Sequence, residues 1–152
     1  MSARLDFHKA APQGLKPMMA LEAYFKECGL DHTIIELVKT RASQINGCAF
    51  CIDMHTADAR KQGESEIRLY MLSAWRESSR YTPKERAALA WTEALTKVSE
   101  THAPDDVYEE LMKHFSEKEA ADLTLLIGTI NSWNRIAIGF RGVPLSERKV
   151  AA

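Results

Sequence analysis

Apolar residues return every three to four positions along nearly the whole chain, and no stretch sustains the alternation of a half-buried strand. This periodicity restricts the chain to an all-α fold. The helix borders are legible. Pro17 is expected to open a helix after an irregular start over residues 1–16, with Met18, Leu21, Tyr24, Phe25 and Cys28 inward and Gly29 as its left-handed end. Asp31 caps a second helix that carries Ile34, Ile35, Leu37, Val38 and Ile45 inward, turns Lys39 and Arg41 toward solvent, and stops at Asn46-Gly47. A third runs from there to Gly63, and a shorter one follows around Ile67, Leu69, Tyr70 and Leu72. Thr82-Pro83-Lys84-Glu85 is a capping box with proline at the first helical position, and Ser116 with Glu119 forms a second. Between them, Pro104 to Phe115 reads as an amphipathic helix. The last helix, from about Glu117 to Gly139, is apolar on most faces, so a compact bundle of this size needs another subunit to cover part of it.

At 152 residues the chain is expected to form a single helical domain over 1–152. Its 45% hydrophobic and 27% charged residues lie near the globular norm, and its apolar runs are too short for a membrane span. A formal net charge of −1 with dispersed Lys and Arg argues against a nucleic-acid partner. Residues 1–17 contain no apolar block of the kind a secretory signal needs, so cytoplasmic residence is expected. In that compartment thiols stay reduced, and a Cys-x-x-Cys pair points to catalysis or metal binding rather than a structural disulfide.

Such a pair lies in the run Asn46-Gly47-Cys48-Ala49-Phe50-Cys51-Ile52-Asp53-Met54-His55. With Cys48 in the first turn of a helix, Cys51 and His55 follow at spacings of three and four, so both thiols and the imidazole share one face. The helix N-terminus favours a thiolate through its dipole and unpaired N–H groups. His55, one turn beyond Cys51, can exchange that thiol's proton near neutral pH. Glu36 on the preceding helix reads by pattern alone as a solvated carboxylate, although that helix must turn back at Asn46-Gly47 and could bring it to face His55. Zinc is a competing reading, with Cys48, Cys51 and His55 as three ligands and Glu36, Cys28 or His32 as a fourth. Structural zinc sites draw on two separated ligand pairs, and no second pair exists here, so no metal and no other cofactor is expected. Cys28 reads as a packing residue, and His8, His32, His102 and His114 have no partner pattern.

The segment from Glu36 to His55, with its glutamate twelve residues before the first cysteine, resembles the signature of the AhpD-like alkylhydroperoxidases of the carboxymuconolactone decarboxylase superfamily. Resemblance continues through Ala57-Asp58-Ala59-Arg60, Arg86 to Ala94, and Asn131-Ser132-Trp133-Asn134-Arg135. It implies a compact all-helical bundle, assembly into trimers or hexamers, and a peroxide-reducing dithiol with Glu36, Cys48, Cys51 and His55 in the catalytic positions. Superfamily decarboxylases acting on a lactone lack the cysteine pair, which is present here.

The expected reaction is reduction of a hydroperoxide. Cys51, deprotonated by His55 under the orientation of Glu36, attacks the terminal oxygen and becomes a sulfenic acid. Cys48 condenses with it to a disulfide, which a dithiol reductant reopens. Phe50 is placed to shield that disulfide or to meet an apolar peroxide, and the final-helix Asn131, Trp133, Asn134 and Arg135 read as structural. Two other classes fit the same dithiol: a thiol–disulfide oxidoreductase that does not use peroxide, and an oligomeric protein that binds metal or senses oxidants.

Overall fold

The computed structural model describes residues 2–148; residue 1 and residues 149–152 of the expected domain lie outside the described residues. The fold is a compact all-α bundle. Its helices are α1 (Phe7–Ala10), α2 (Pro12–Glu27), α3 (His32–Asn46), α4 (Ala49–Lys61), α5 (Glu66–Met71), α6 (Pro83–Thr96), α7 (Val98–Thr101), α8 (Asp105–Met112) and α9 (Glu117–Gly139), with 3-10 turns at Leu72–Glu77 and Leu145–Glu147.

α3 is the axis of the bundle, packed against α4, α6 and α9. Asp31 starts it by accepting the Thr33 and Ile34 N–H groups at 2.7 and 3.4 Å. Its apolar faces meet two clusters. Ile34, Ile35 and Val38 pack with Ala88, Trp91, Leu123, Leu126 and Ile127, whereas Leu37 packs with Ala59, Leu72, Trp75 and Leu89. Both expected capping boxes are formed, at Thr82/Glu85 and Ser116/Glu119.

A helix surrounded on so many sides has no solvent face, and this overturns the outward placement of Lys39 and Arg41. Lys39 is buried and donates to Glu22 of α2 at 2.6 Å, while Arg41 donates to Glu93 of α6 at 2.8 Å. Neighbouring helices supply the carboxylates that make buried cations tolerable.

The start of the chain is also more ordered than periodicity suggests. α2 begins at Pro12, and Pro17 lies inside it, removing one intrahelical bond near the exposed N-terminal end. Of its expected inward residues only Phe25 is fully buried. Met18, Leu21 and Cys28 are half-buried, and Tyr24 lies at the rim with its hydroxyl donating to Asp122 at 2.7 Å. α8 ends at Met112, three residues earlier than expected, although Phe115 still packs in the core. α7 carries no sequence signal, and its left-handed exit at His102 and Ala103 uses no glycine.

α9 buries Leu123, Leu126, Ile127 and Ile130 but leaves Leu125 and Ile138 nearly half exposed. Between α2, α8 and α9 runs an open groove of about 880 Å3, lined by Met18, Leu21, Tyr108, Leu125, Gly128 and Ser132 among others.

The turn between α3 and α4 depends on Gly47, whose φ of 70° is left-handed. A Cβ there would meet no atom within 4 Å, so substitution is penalised only by backbone conformation. Gly47→Ala is therefore expected to lower stability by about 1–2 kcal/mol, with Gly47→Asn milder, as read from urea unfolding midpoints. Equal stability of wild type and Gly47→Ala would contradict this account.

Candidate functional site

After Gly47 the chain reverses. The Cys48 N–H bonds the Ser43 carbonyl at 2.9 Å, and α4 runs back along α3. This hairpin sets residues of the two helices level in pairs whose positions sum to about 91, so Glu36 lies opposite His55 and Ser43 opposite Cys48. The His55 Nδ1 and Glu36 Oε2 atoms are 2.9 Å apart, and both residues are buried. A carboxylate oxygen accepts, so Nδ1 is the donor in this contact and Nε2 is left outside it. The acid–imidazole pair expected from sequence is thus formed. Among the described residues, the His55 side chain hydrogen-bonds Glu36 alone, and no hydrogen bond links it directly to either sulfur.

Cys48 sits as the N-cap of α4 rather than inside its first turn, and its sulfur accepts the Cys51 N–H at 3.4 Å. Both sulfurs belong to residues only 1% exposed. Ala42 and Ile130 pack around them, with Phe50, Trp133 and Ala137 as partly buried cover. Both cysteines are free thiols, as is Cys28.

Burial alone raises a thiol pKa, yet Cys48 is lowered to about 7 because the Cys51 thiol and the Cys51 N–H both donate to it. Cys51 is raised, first by giving its proton to Cys48 and then by desolvation. The pair therefore behaves as one unit that loses a first proton near neutral pH and holds the second between the sulfurs. The directions of the two shifts favour Cys48 as the sulfur that carries the charge.

The surroundings of the dithiol include residues whose part was not legible beforehand. Trp133 donates to Glu22 at 3.0 Å, and Glu22 also holds Lys39, so one α2 carboxylate ties the cover of the thiols to the central helix. Arg148 lies 5.8 Å from the Phe50 ring centre, and the Ser146 N–H bonds Asp53 at 2.9 Å, which straps the end of the described chain across the start of α4. Thr40, on the same α3 face as Glu36 and Ser43, has a buried hydroxyl with no hydrogen-bond partner among the described residues. A semi-open cavity of about 340 Å3 reaches Glu36 between Glu22, Phe25, His32, Lys39 and Asp58, and no thiol lines it.

The zinc constellation does not form. Among the described residues no group of three or more His, Cys, Asp or Glu side chains is arranged to hold a metal ion. His32 lies at the cavity mouth, and Cys28 turns its thiol to the Phe25 carbonyl.

Residues 12–94 match the model of the carboxymuconolactone decarboxylase family. The chain belongs to that family. Within this family it is AhpD-like. The uncharacterised protein YdfG of Bacillus subtilis (strain 168) is 49% identical over 91% of this chain and 94% of its own length. A crystal structure of a protein of unknown function from Agrobacterium tumefaciens, assigned provisionally to antioxidant defence as an AhpD, superposes with a TM-score of 0.91 at 51% identity, covering 94% of this chain and 98% of that one. An alkylhydroperoxidase AhpD core protein, peroxidase-related, from Ralstonia eutropha JMP134 shares the fold at 21% identity and a TM-score of 0.80, over 92% of this chain and 75% of that one.

The thiol electrostatics make a pH prediction. Alkylation of the reduced protein by iodoacetamide should rise through an inflection near pH 7, well below that of an ordinary thiol, and Cys48→Ser should abolish this inflection. Thr40→Val, which replaces an unpartnered hydroxyl with a methyl group, should leave the melting temperature unchanged or raise it. A drop equivalent to more than about 1 kcal/mol would mean the hydroxyl has a partner in solution.

Proposed function

We propose that this family member is a dithiol peroxidase that reduces hydroperoxides through Cys48 and Cys51, assisted by His55 and Glu36. The observation that carries the reading is the buried Cys48–Cys51 pair, poised to lose one proton near neutral pH, on the same hairpin as a Glu36-oriented imidazole. This arrangement fits the dithiol, histidine and glutamate machinery of AhpD-type peroxidases.

The first proton leaves the pair to bulk solvent, with charge resting on Cys48. The S–H···S bond then allows the remaining proton to pass from Cys51 to Cys48, leaving the thiolate on Cys51, one turn from His55. Cys51 attacks the terminal peroxide oxygen. The O–O bond breaks, the terminal oxygen with its hydrogen stays on Cys51 as a sulfenic acid, and the alkoxide leaves as the alcohol with a proton drawn from solvent through His55. Cys48 attacks the Cys51 sulfur, water departs, and a disulfide closes across one helical turn. Two electrons from a dithiol donor restore the pair. Phe50 and Trp133 must yield for substrate to arrive, because the open cavity stops at Glu36.

Residues 1–152 are taken as one catalytic domain, working in the cytoplasm, where the thiols stay reduced. The half-exposed Leu125 and Ile138 and the groove beside α2 and α8 support assembly of identical chains into a trimer or hexamer. Light scattering at micromolar concentration should return a multiple of the 17.1 kDa chain mass; the chain mass itself would overturn the assembly.

With excess dithiol, wild type should consume an alkyl hydroperoxide over many turnovers, and Cys48→Ser and Cys51→Ser should each abolish turnover. Cys48→Ser should accumulate a trappable sulfenic acid on Cys51. A sulfenic acid found instead on Cys48 of Cys51→Ser would reverse the order of attack. His55→Ala should slow the peroxide step roughly a hundredfold at neutral pH, and an unchanged rate would remove His55 from the mechanism. Turnover of a disulfide substrate without peroxide turnover would replace the proposal with thiol–disulfide exchange.

A further inference from the structure

The face of α9 that covers the dithiol presents Ile130, Trp133 and Ala137, and Asn134 sits in the middle of it with a side chain 0% exposed. A carboxamide buried so completely loses free energy for each donor or acceptor left without a partner. Its orientation follows from its neighbours. The Ser43 hydroxyl has one proton, donated to the Lys39 carbonyl at 2.7 Å, so at 3.0 Å from Asn134 its oxygen accepts and the atom facing it is Nδ2. On the other side Asn46 donates Nδ2–H to Asn134 Oδ1 at 2.8 Å. A flipped amide would set donor against donor at Asn46 and acceptor against a committed hydroxyl at Ser43.

An amide nitrogen carries two protons, and Ser43 takes one. Among the described residues neither an oxygen nor a sulfur closes a hydrogen bond with the second, and the sulfurs of Cys48 and Cys51 occupy the cluster that this face of α9 covers. We propose that Asn134 is a further catalytic residue, which directs its second Nδ2–H at the sulfur pair and stabilises the thiolate throughout the redox cycle. The nearby Asn134 amide acts to lower the pKa of both thiols, in keeping with this placement.

A neutral donor suits the position. It has no proton of its own to lose near neutral pH, so it stabilises charge on either sulfur without competing with His55 for the transferred proton. The charged or titratable groups around the pair are His55 and Glu36 along the hairpin, Lys39 and Glu22 behind Trp133, and Asp53 and Arg148 beside Phe50. Among the hydrogen bonds recorded for the described residues, none joins any of these six to the Asn134 side chain.

The inference rests on the dithiol being the reactive centre, and its test uses no peroxide. Thiolate absorbance of the reduced full-length protein is titrated against pH. Asn134→Ala is expected to move the first midpoint up by about one pH unit, a roughly tenfold loss of thiolate below the midpoint. Asn134→Asp should move it at least as far. Asn46→Ala removes one of the two contacts that orient the amide but leaves Ser43 and the Asn134 N–H in place, so it should reduce stability and move the midpoint less than Asn134→Ala does. In the unaltered protein, the Asn134 side-chain amide resonance should shift through the thiol titration and again on oxidation to the disulfide. An unmoved midpoint in folded Asn134→Ala, an equal shift in Asn46→Ala, or an amide resonance that ignores the thiol titration would each overturn the proposal. A moved midpoint in a protein that never consumes peroxide would instead retain Asn134 and remove the peroxidase reading.

Discussion

The left-handed turn at Gly47, closed by the Cys48 N–H on the Ser43 carbonyl, is the constraint on which the site depends. It folds α4 back against α3 with a fixed register. Within that register Glu36 meets His55, Ser43 comes level with Cys48, and Cys48 becomes the cap of α4. A register shifted by one residue would rotate the facing side chains by about 100° and separate the carboxylate from the imidazole. Acid, base and thiols are therefore organised by one hairpin.

The remaining helices set the electrical environment of that hairpin. α9 covers the dithiol with apolar side chains, which removes water and strengthens each hydrogen bond to sulfur. In such surroundings two thiols cannot ionise independently, and a single charge is shared across the S–H···S contact. The same burial would penalise Lys39 and Arg41 if Glu22 and Glu93 did not arrive from α2 and α6. Glu22 serves two purposes, because it also holds Trp133 over the sulfurs. Charge balance in the core and closure of the site are thereby linked.

Structures with about one-fifth identity share this fold, and a shared fold does not by itself specify chemistry. The functional reading rests on four side chains and the protons between them. The Cys-x-x-Cys spacing places both sulfurs within one turn, where a disulfide can form without moving the backbone far. An apolar cover over such a pair favours a small neutral oxidant that can slip beneath Phe50 and Trp133 over a bulky folded one.

Local chemistry was legible in the sequence because its causes are local. Capping boxes act over four residues, glycine turns over one or two, and the spacing of Cys48, Cys51 and His55 over two helical turns, so all could be read before the fold was known. The family signature added Glu36. Features set by distant partners were not legible. Lys39 and Arg41 read as solvated because nothing in α3 reveals that Glu22 and Glu93 will cover them, and α2 read as starting at Pro17 because an interior proline usually marks a helix start. The sequence points His55 directly at Cys51, whereas tertiary packing gives its hydrogen bond to Glu36 and shifts the Cys48 thiol down and the Cys51 thiol up. Asn134 lies more than eighty residues from the cysteines, and its amide acquires a direction only when Ser43 and Asn46 reach it from another helix. The sequence by itself determined the helices, their ends and the reactive pair, because short-range sterics and hydrogen bonding decide these. Only the tertiary structure decided which sulfur holds the charge, which cations are buried and what covers the dithiol, because those depend on desolvation and on partners brought together by packing.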